Sequence, residues 1–140
     1  MQAKVVWDEG MAFKAHLNNF ELTIDAPTPV GGKNRGPRPK GLVLVALAGC
    51  TAMDVVSILK KHKVELEGFE VSTVARLAEQ HPKKIEQVTI RYDLQGTDVP
   101  EQRVKQAVEL SQDAFCGVVA TLRPTVAIDI EIWINGAKID

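Results

Sequence analysis

The chain has few residues that could hold it together covalently or tether it elsewhere. Only 2 of its 140 residues are cysteine and 3 are histidine. A disulfide scaffold is therefore out of reach, and neither a C-x-x-C pair nor zinc-site spacing is present, so no metal is expected. Neither sign of charge is in excess: 17 Lys+Arg against 18 Asp+Glu leave a net charge of −1. That balance lacks the basic footprint of a nucleic-acid binder. The longest charge-free apolar stretch, Gly41 to Met53, spans 13 residues before Asp54 ends it, against about 20 for a membrane helix. Lys4, Asp8 and Glu9 interrupt the start before any signal-type apolar core forms. The expectation is a cytoplasmic protein with no nucleic-acid and no membrane partner.

What remains is of globular type, 45% hydrophobic and 25% charged. A chain of this length buries about 68–70% of its unfolded surface, enough for a real core. No internal repeat and no linker is visible, so one domain is expected over 1–140. Lys4–Trp7, Met11–Leu17 and Phe20–Ile24 read as three short strands joined by polar turns, an N-terminal meander over 1–25. Residues 26–39 hold four prolines, three glycines and the bases Lys33, Arg35 and Arg38, and form a loop. A central helix follows over 40–63, opened by Pro39 and closed by Lys60, Lys61, His62 and Lys63. Apolar residues on nearly every face from Leu42 to Val56 mark it as buried.

Strands over 69–95 come next, Phe69–Ala78 and Ile85–Leu94, with Glu79-Gln80-His81-Pro82 between them. Asp98 and Pro100 introduce a second helical region over 99–122, with Val104, Ala107, Val108, Ser111 and Phe115 on one stripe and Cys116-Gly117 interrupting it. A C-terminal strand over 124–135 shows strict alternation from Val126 to Asn135. The class is α+β, a long buried helix against mostly antiparallel sheet.

The two cysteines are either inert core filling or redox chemistry, and composition does not choose between them. Cys50 sits mid-helix in Ala46-Leu47-Ala48-Gly49-Cys50-Thr51-Ala52. Gly49 in a helix interior costs about 0.5–1 kcal/mol relative to alanine, which points to a packing or access requirement. A buried cysteine that only fills space is the plain alternative. Cys116 stands at the start of the helical turn Gly117–Leu122, where free N–H groups and the helix dipole stabilise a thiolate. Arg35 is read as part of a solvated loop, His81 as shaping a strand connection, and Trp7 and Trp133 as sheet-packing aromatics.

The run Gly36-Pro37-Arg38-Pro39-Lys40-Gly41 through Leu47-Ala48-Gly49-Cys50-Thr51-Ala52-Met53-Asp54-Val55-Val56-Ser57-Ile58-Leu59 resembles the signature helix of the OsmC/Ohr family of thiol peroxidases, and more narrowly its YhfA-like branch. Glu79-Gln80-His81-Pro82, Ala107-Val108-Glu109-Leu110-Ser111 and Cys116 continue the likeness in family order. The resemblance implies an intertwined homodimer, sheets wrapped around long central helices, with Cys50 as the peroxidatic and Cys116 as the resolving cysteine. It further implies reduction of organic hydroperoxides to alcohols through a Cys50 sulfenic acid and a Cys50–Cys116 disulfide, in oxidative-stress defence. No bound cofactor is implied; an external dithiol, such as a lipoyl group or a small thiol, restores both cysteines.

Family peroxidases hold an arginine with a glutamate at the start of this helix. Here Pro39-Lys40-Gly41-Leu42 contains no carboxylate. Lys40 or Arg38 could supply the positive charge that activates Cys50, and Arg38 is taken as the candidate site residue. Asp54, one turn beyond Cys50, would raise the thiol pKa if it faced the site. The alternative function is a non-catalytic dimer on the same fold that binds a small apolar ligand in the interface cleft.

Overall fold

The computed structural model describes residues 1–139. The chain groups into two compact units, Met1–Val43 and the part from Leu44 onward.

In the first unit, β1 (Ala3–Trp7), β2 (Phe13–Leu17) and β3 (Phe20–Ile24) form the expected antiparallel meander in the order β1-β2-β3. Asn18 at the second turn has φ 53, a left-handed conformation that asparagine tolerates better than most residues. The meander leaves Val5, Val6, Trp7 and Phe20 exposed, so Trp7 does not pack as a sheet aromatic. Its indole N–H donates to the Gly10 carbonyl instead.

Beyond β3 the loop is anchored by one carboxylate. Buried Asp25 accepts the backbone N–H groups of Ala26 at 2.7 Å, Lys33 at 3.0 Å and Arg35 at 3.1 Å. Hydrogen bonds to a charged carboxylate favour that form, and they hold Asp25 below the ordinary aspartate range, the Arg35 amide most of all. Arg35 is not merely solvated: its guanidinium bridges Asp8 and Glu9. A close backbone approach explains Gly36, where a Cβ would meet the Thr23 carbonyl oxygen at 2.0 Å.

Helix α1 runs Pro39–Lys61, 23 residues, with Lys60 and Lys61 in its last turn. By length and composition alone it resembles a membrane span, as the core helix of a soluble protein also can. It ends where Lys63 turns left-handed (φ 58) and Val64 N–H reaches back to the Leu59 carbonyl. The expectation of burial on every side is corrected within the chain. Leu47, Thr51, Val55, Ile58 and Leu59 form one buried face, whereas Val45 and Met53 are 66% and 71% exposed. One sheet face covers one side of a helix and no more.

That sheet belongs to the second unit: β4 (Gly68–Leu77), β5 (Ile85–Gln95), β6 (Ala127–Ile134) and β7 (Ala137–Ile139), in sequential order. β4–β5 and β6–β7 are antiparallel, with a register shift between Arg76 and Leu77, and β5–β6 is parallel. Alternation along β5 turns Val88, Ile90, Tyr92 and Leu94 inward, into one core with Leu47, Val55 and Leu59 of α1. Each such aliphatic side chain contributes about 1.5–3 kcal/mol by burial. Trp133 does more than pack, since the Arg91 guanidinium lies 4.1 Å over its ring while also gripping Asp93 with two hydrogen bonds.

A parallel neighbour requires a crossover. Here it comprises α2 (Glu101–Leu110), one turn of π-helix (Ser111–Phe115) and α3 (Gly117–Leu122). Val104, Ala107, Val108 and Ser111 are buried as the stripe predicts, but Phe115 is 61% exposed. The wider π turn rotates it off the stripe.

Candidate active site

Cys50 and Asp54 stand four residues apart on α1, hence on one side of it. Cys116 comes from the crossover, at the break between the π turn and α3. The Cys50 and Cys116 sulfurs and an Asp54 carboxylate oxygen all lie within 4.8 Å of one another. Both cysteines are free; Cys50 is half-buried and Cys116 only 3% exposed. Among the described residues no histidine or further carboxylate joins the group, which falls one protein ligand short of a closed zinc site.

The π turn places Cys116. Its amide donates to the Ser111 carbonyl at 2.8 Å, spanning five residues. As predicted, Cys116 caps α3, its sulfur accepting the Val119 N–H at 3.4 Å. The expected thiolate is corrected, however. Burial, then the hydrogen bond with Cys50, push the Cys116 thiol up to about 11, beyond what Val119 N–H offsets. Six residues of helix and the amides of Val118 and Val119 do not replace lost water.

Behind the thiols lies a buried polar cluster that sequence reasoning overlooked: Thr51 of α1, Tyr92 of β5, and Ser111 and Gln112 of the π turn. Thr51 Oγ1 is 2.6 Å from Tyr92 OH and 2.8 Å from Ser111 Oγ. Ser111 Oγ donates to Asp54 Oδ2 at 3.0 Å, and Gln112 Nε2 donates to Tyr92 OH at 2.8 Å. Each hydroxyl owns one hydrogen, so the directions follow. Ser111 spends its hydrogen on the carboxylate, Thr51 must then donate to Ser111, and Tyr92 to Thr51. All hydrogens point toward Asp54. Burial raises the Tyr92 phenol pKa, keeping it a donor. The available signal was a set of polar residues on otherwise apolar faces, which reads as tolerance until the partners are known.

Arg38, the predicted activating cation, belongs to the first unit. Its Nη1 donates to the Gly36 carbonyl at 3.0 Å, and it lines a cleft of about 400 Å³ with Met11, Phe13, Ile24 and Pro39. α1 has no acidic residue in its first turn. Along α1 and β4, Leu44, Val45, Ala48, Gly49, Ala52, Val71 and Thr73 line a second, largely apolar cleft, and a Cβ at Gly49 would meet nothing within 4 Å.

An α+β fold that brings two free thiols together from a long helix and a crossover defines a two-cysteine thiol protein. The chain belongs to the OsmC-like protein family, whose model matches residues 32–131. It is 31% identical over 129 residues to protein YhfA of Escherichia coli strain K12, covering 91% of this chain and 93% of that one. A hypothetical protein from Aquifex aeolicus VF5 superposes with a TM-score of 0.85 at 28% identity, over 96% of this chain and 95% of that chain. An organic hydroperoxide resistance protein OsmC from Legionella pneumophila has a TM-score of 0.71 at 16% identity, over 94% and 95%, a likeness of fold alone. The predicted family and α+β OsmC-like fold are thus found.

Proposed function

We propose that the protein is a thiol peroxidase that reduces organic hydroperoxides to alcohols. The observation that carries this reading is the approach of the two free sulfurs to within 4.8 Å. Cys50, the more exposed thiol, attacks the peroxide O–O bond as its thiolate; the alkoxide leaves and is protonated to an alcohol, and Cys50 becomes a sulfenic acid. Cys116 displaces the hydroxyl as water and forms the disulfide, and an external dithiol, a lipoyl group or small thiol, reduces it by exchange. The apolar cleft beside Gly49 suits an alkyl chain better than water.

A homodimer fits the apolar face that α1 leaves uncovered, and a reducing, cytoplasmic setting keeps the resting thiols free. Arg38 is kept as the proposed activating cation on the family resemblance of the run that holds it, not on a contact with Cys50.

The test is the intact mass of reduced protein after one equivalent of cumene hydroperoxide, without reductant. Prompt loss of two hydrogens, absent in Cys50→Ser, is the expected result; an unchanged mass refutes it. The second reading, a dimer that binds an apolar ligand without turnover, is favoured by the missing carboxylate at the start of α1. It predicts ligand binding that Cys50→Ser leaves intact.

A further inference from the structure

Resolving a sulfenic acid with a buried thiol leaves a proton to dispose of. Cys116 is 3% exposed, so bulk water is a poor acceptor for it. Among the described residues, the Asp54 carboxylate is the acidic group gathered with both sulfurs, within 4.8 Å of each. Ser111 donates to it at 3.0 Å, and behind Ser111 the chain of Thr51, Tyr92 and Gln112 is oriented so that no hydroxyl in it has a hydrogen to spare elsewhere.

We propose that Asp54 is the proton acceptor for Cys116 when the Cys50–Cys116 disulfide forms, and that the oriented chain Tyr92–Thr51–Ser111 positions its carboxylate for that step. The assignment rests on the peroxidase reading for its physiological setting. In that setting the Cys116 sulfur forms the S–S bond, the Cys50 S–O bond breaks, and the Cys116 proton passes to Asp54. Asp54 returns a proton to the departing hydroxide, so water leaves and the carboxylate is regenerated. The sulfenic sulfur is reduced and the thiol sulfur oxidised, with no other redox partner. The titratable groups facing Asp54 are the Cys50 thiol on its own helix, the Cys116 thiol of the crossover and, through Thr51 and Ser111, the Tyr92 phenol of β5. Arg123 is one step farther away, its Nη2 3.4 Å from Gln112 Oε1.

The step can be read without any peroxide. The aromatic disulfide dithiobis(nitrobenzoate) oxidises Cys50 to a mixed disulfide and releases one coloured thiolate. Cys116 then displaces the second, losing its proton as the Cys50–Cys116 bond forms. Stopped-flow absorbance of the full-length protein gives both phases, and Cys116→Ser, which retains only the first, identifies the second. Asp54→Asn is expected to leave the first phase no slower, since a negative charge beside Cys50 is removed. It is expected to slow the second by about 100-fold, within the range of general base catalysis. The pH profile separates chemistry from architecture: the variant's second phase should rise with unit slope in hydroxide where the wild type is flat. Ser111→Ala should slow the second phase several-fold and keep the flat profile.

A second phase in Asp54→Asn with wild-type rate and profile overturns the assignment. So does an equal slowing of both phases with no change of slope, which marks a structural role. Should Asp54→Asn not fold, Ser111→Ala with a wild-type second phase overturns it. Loss of hydroperoxide reduction in the wild type would refute the peroxidase reading and leave this measurement standing.

Discussion

Ser111 holds Asp54 and Cys116 at once, its hydroxyl donating to the Asp54 carboxylate at 3.0 Å and its carbonyl accepting the Cys116 amide at 2.8 Å. Because the second bond spans five residues, the π turn is what lets one residue serve both. An ordinary α-helical turn would set the Cys116 amide against the Gln112 carbonyl instead.

Tyr92→Phe removes the middle hydroxyl of the buried chain, takes a donor from Thr51 and leaves the Gln112 amide only Thr51 Oγ1 at 3.4 Å. The expected cost is about 1–3 kcal/mol, that of an unsatisfied buried polar group. Urea denaturation checks it: the midpoint falls while the slope stays constant.

Alkylation should be strongly ordered. With its thiol pushed up to about 11 and buried, Cys116 is almost wholly protonated at neutral pH. Iodoacetamide followed by peptide mass mapping should label Cys50 first and Cys116 only on unfolding. The same shift sets a stability trend. The folded chain retains a proton that the unfolded chain loses above the ordinary thiol value of 9.0, so this residue's contribution declines as pH rises from there toward about 11.

Asp25 acts at the opposite end of the scale. Its carboxyl is held below the usual value of 3.8, so its stabilising effect is full above that value and is lost as pH falls through the lower, folded one. Asp25→Asn should destabilise the loop at neutral pH and flatten the acid limb of the unfolding curve. Thermal melts on the acid side, compared between wild type and variant, measure both.

Val45, Met53 and Val56 leave an apolar strip on α1 uncovered. For the proposed homodimer, Met53→Glu should shift the sedimentation mass from twice 15.3 kDa toward 15.3 kDa without loss of helical signal. A charge introduced into an apolar interface costs several kcal/mol when left unpaired.

Much of the fold was legible because periodicity is strong where burial is one-sided. The alternation from Val126 to Ile134 matches β6, and α1 falls within two residues of its expected span. The short β7 was overlooked although Asn135-Gly136, both at positive φ, is the pair that favours a hairpin turn. The parallel pairing of β5 with β6 left no mark in either strand, since pairing partners are set by the path of the chain between them. The thiols stand out in the sequence as its only two cysteines, and the structure brings them together. The polar cluster does not stand out, because Thr51 and Ser111 sit at core positions where a hydroxyl reads as a small apolar residue. Only three-dimensional proximity reveals that each satisfies the other.

The crossover that joins β5 to β6 is clamped at both ends by the same sheet, and Cys116 sits partway along it. A Cys50–Cys116 bond would stitch that strap to the middle of α1 and close a covalent ring running through β4 and β5. Reduction opens the ring and leaves the strap held by hydrogen bonds and packing alone. The electron balance of the thiols is thereby converted into chain connectivity, readable as slower amide exchange in α3 and the π turn of the oxidised protein.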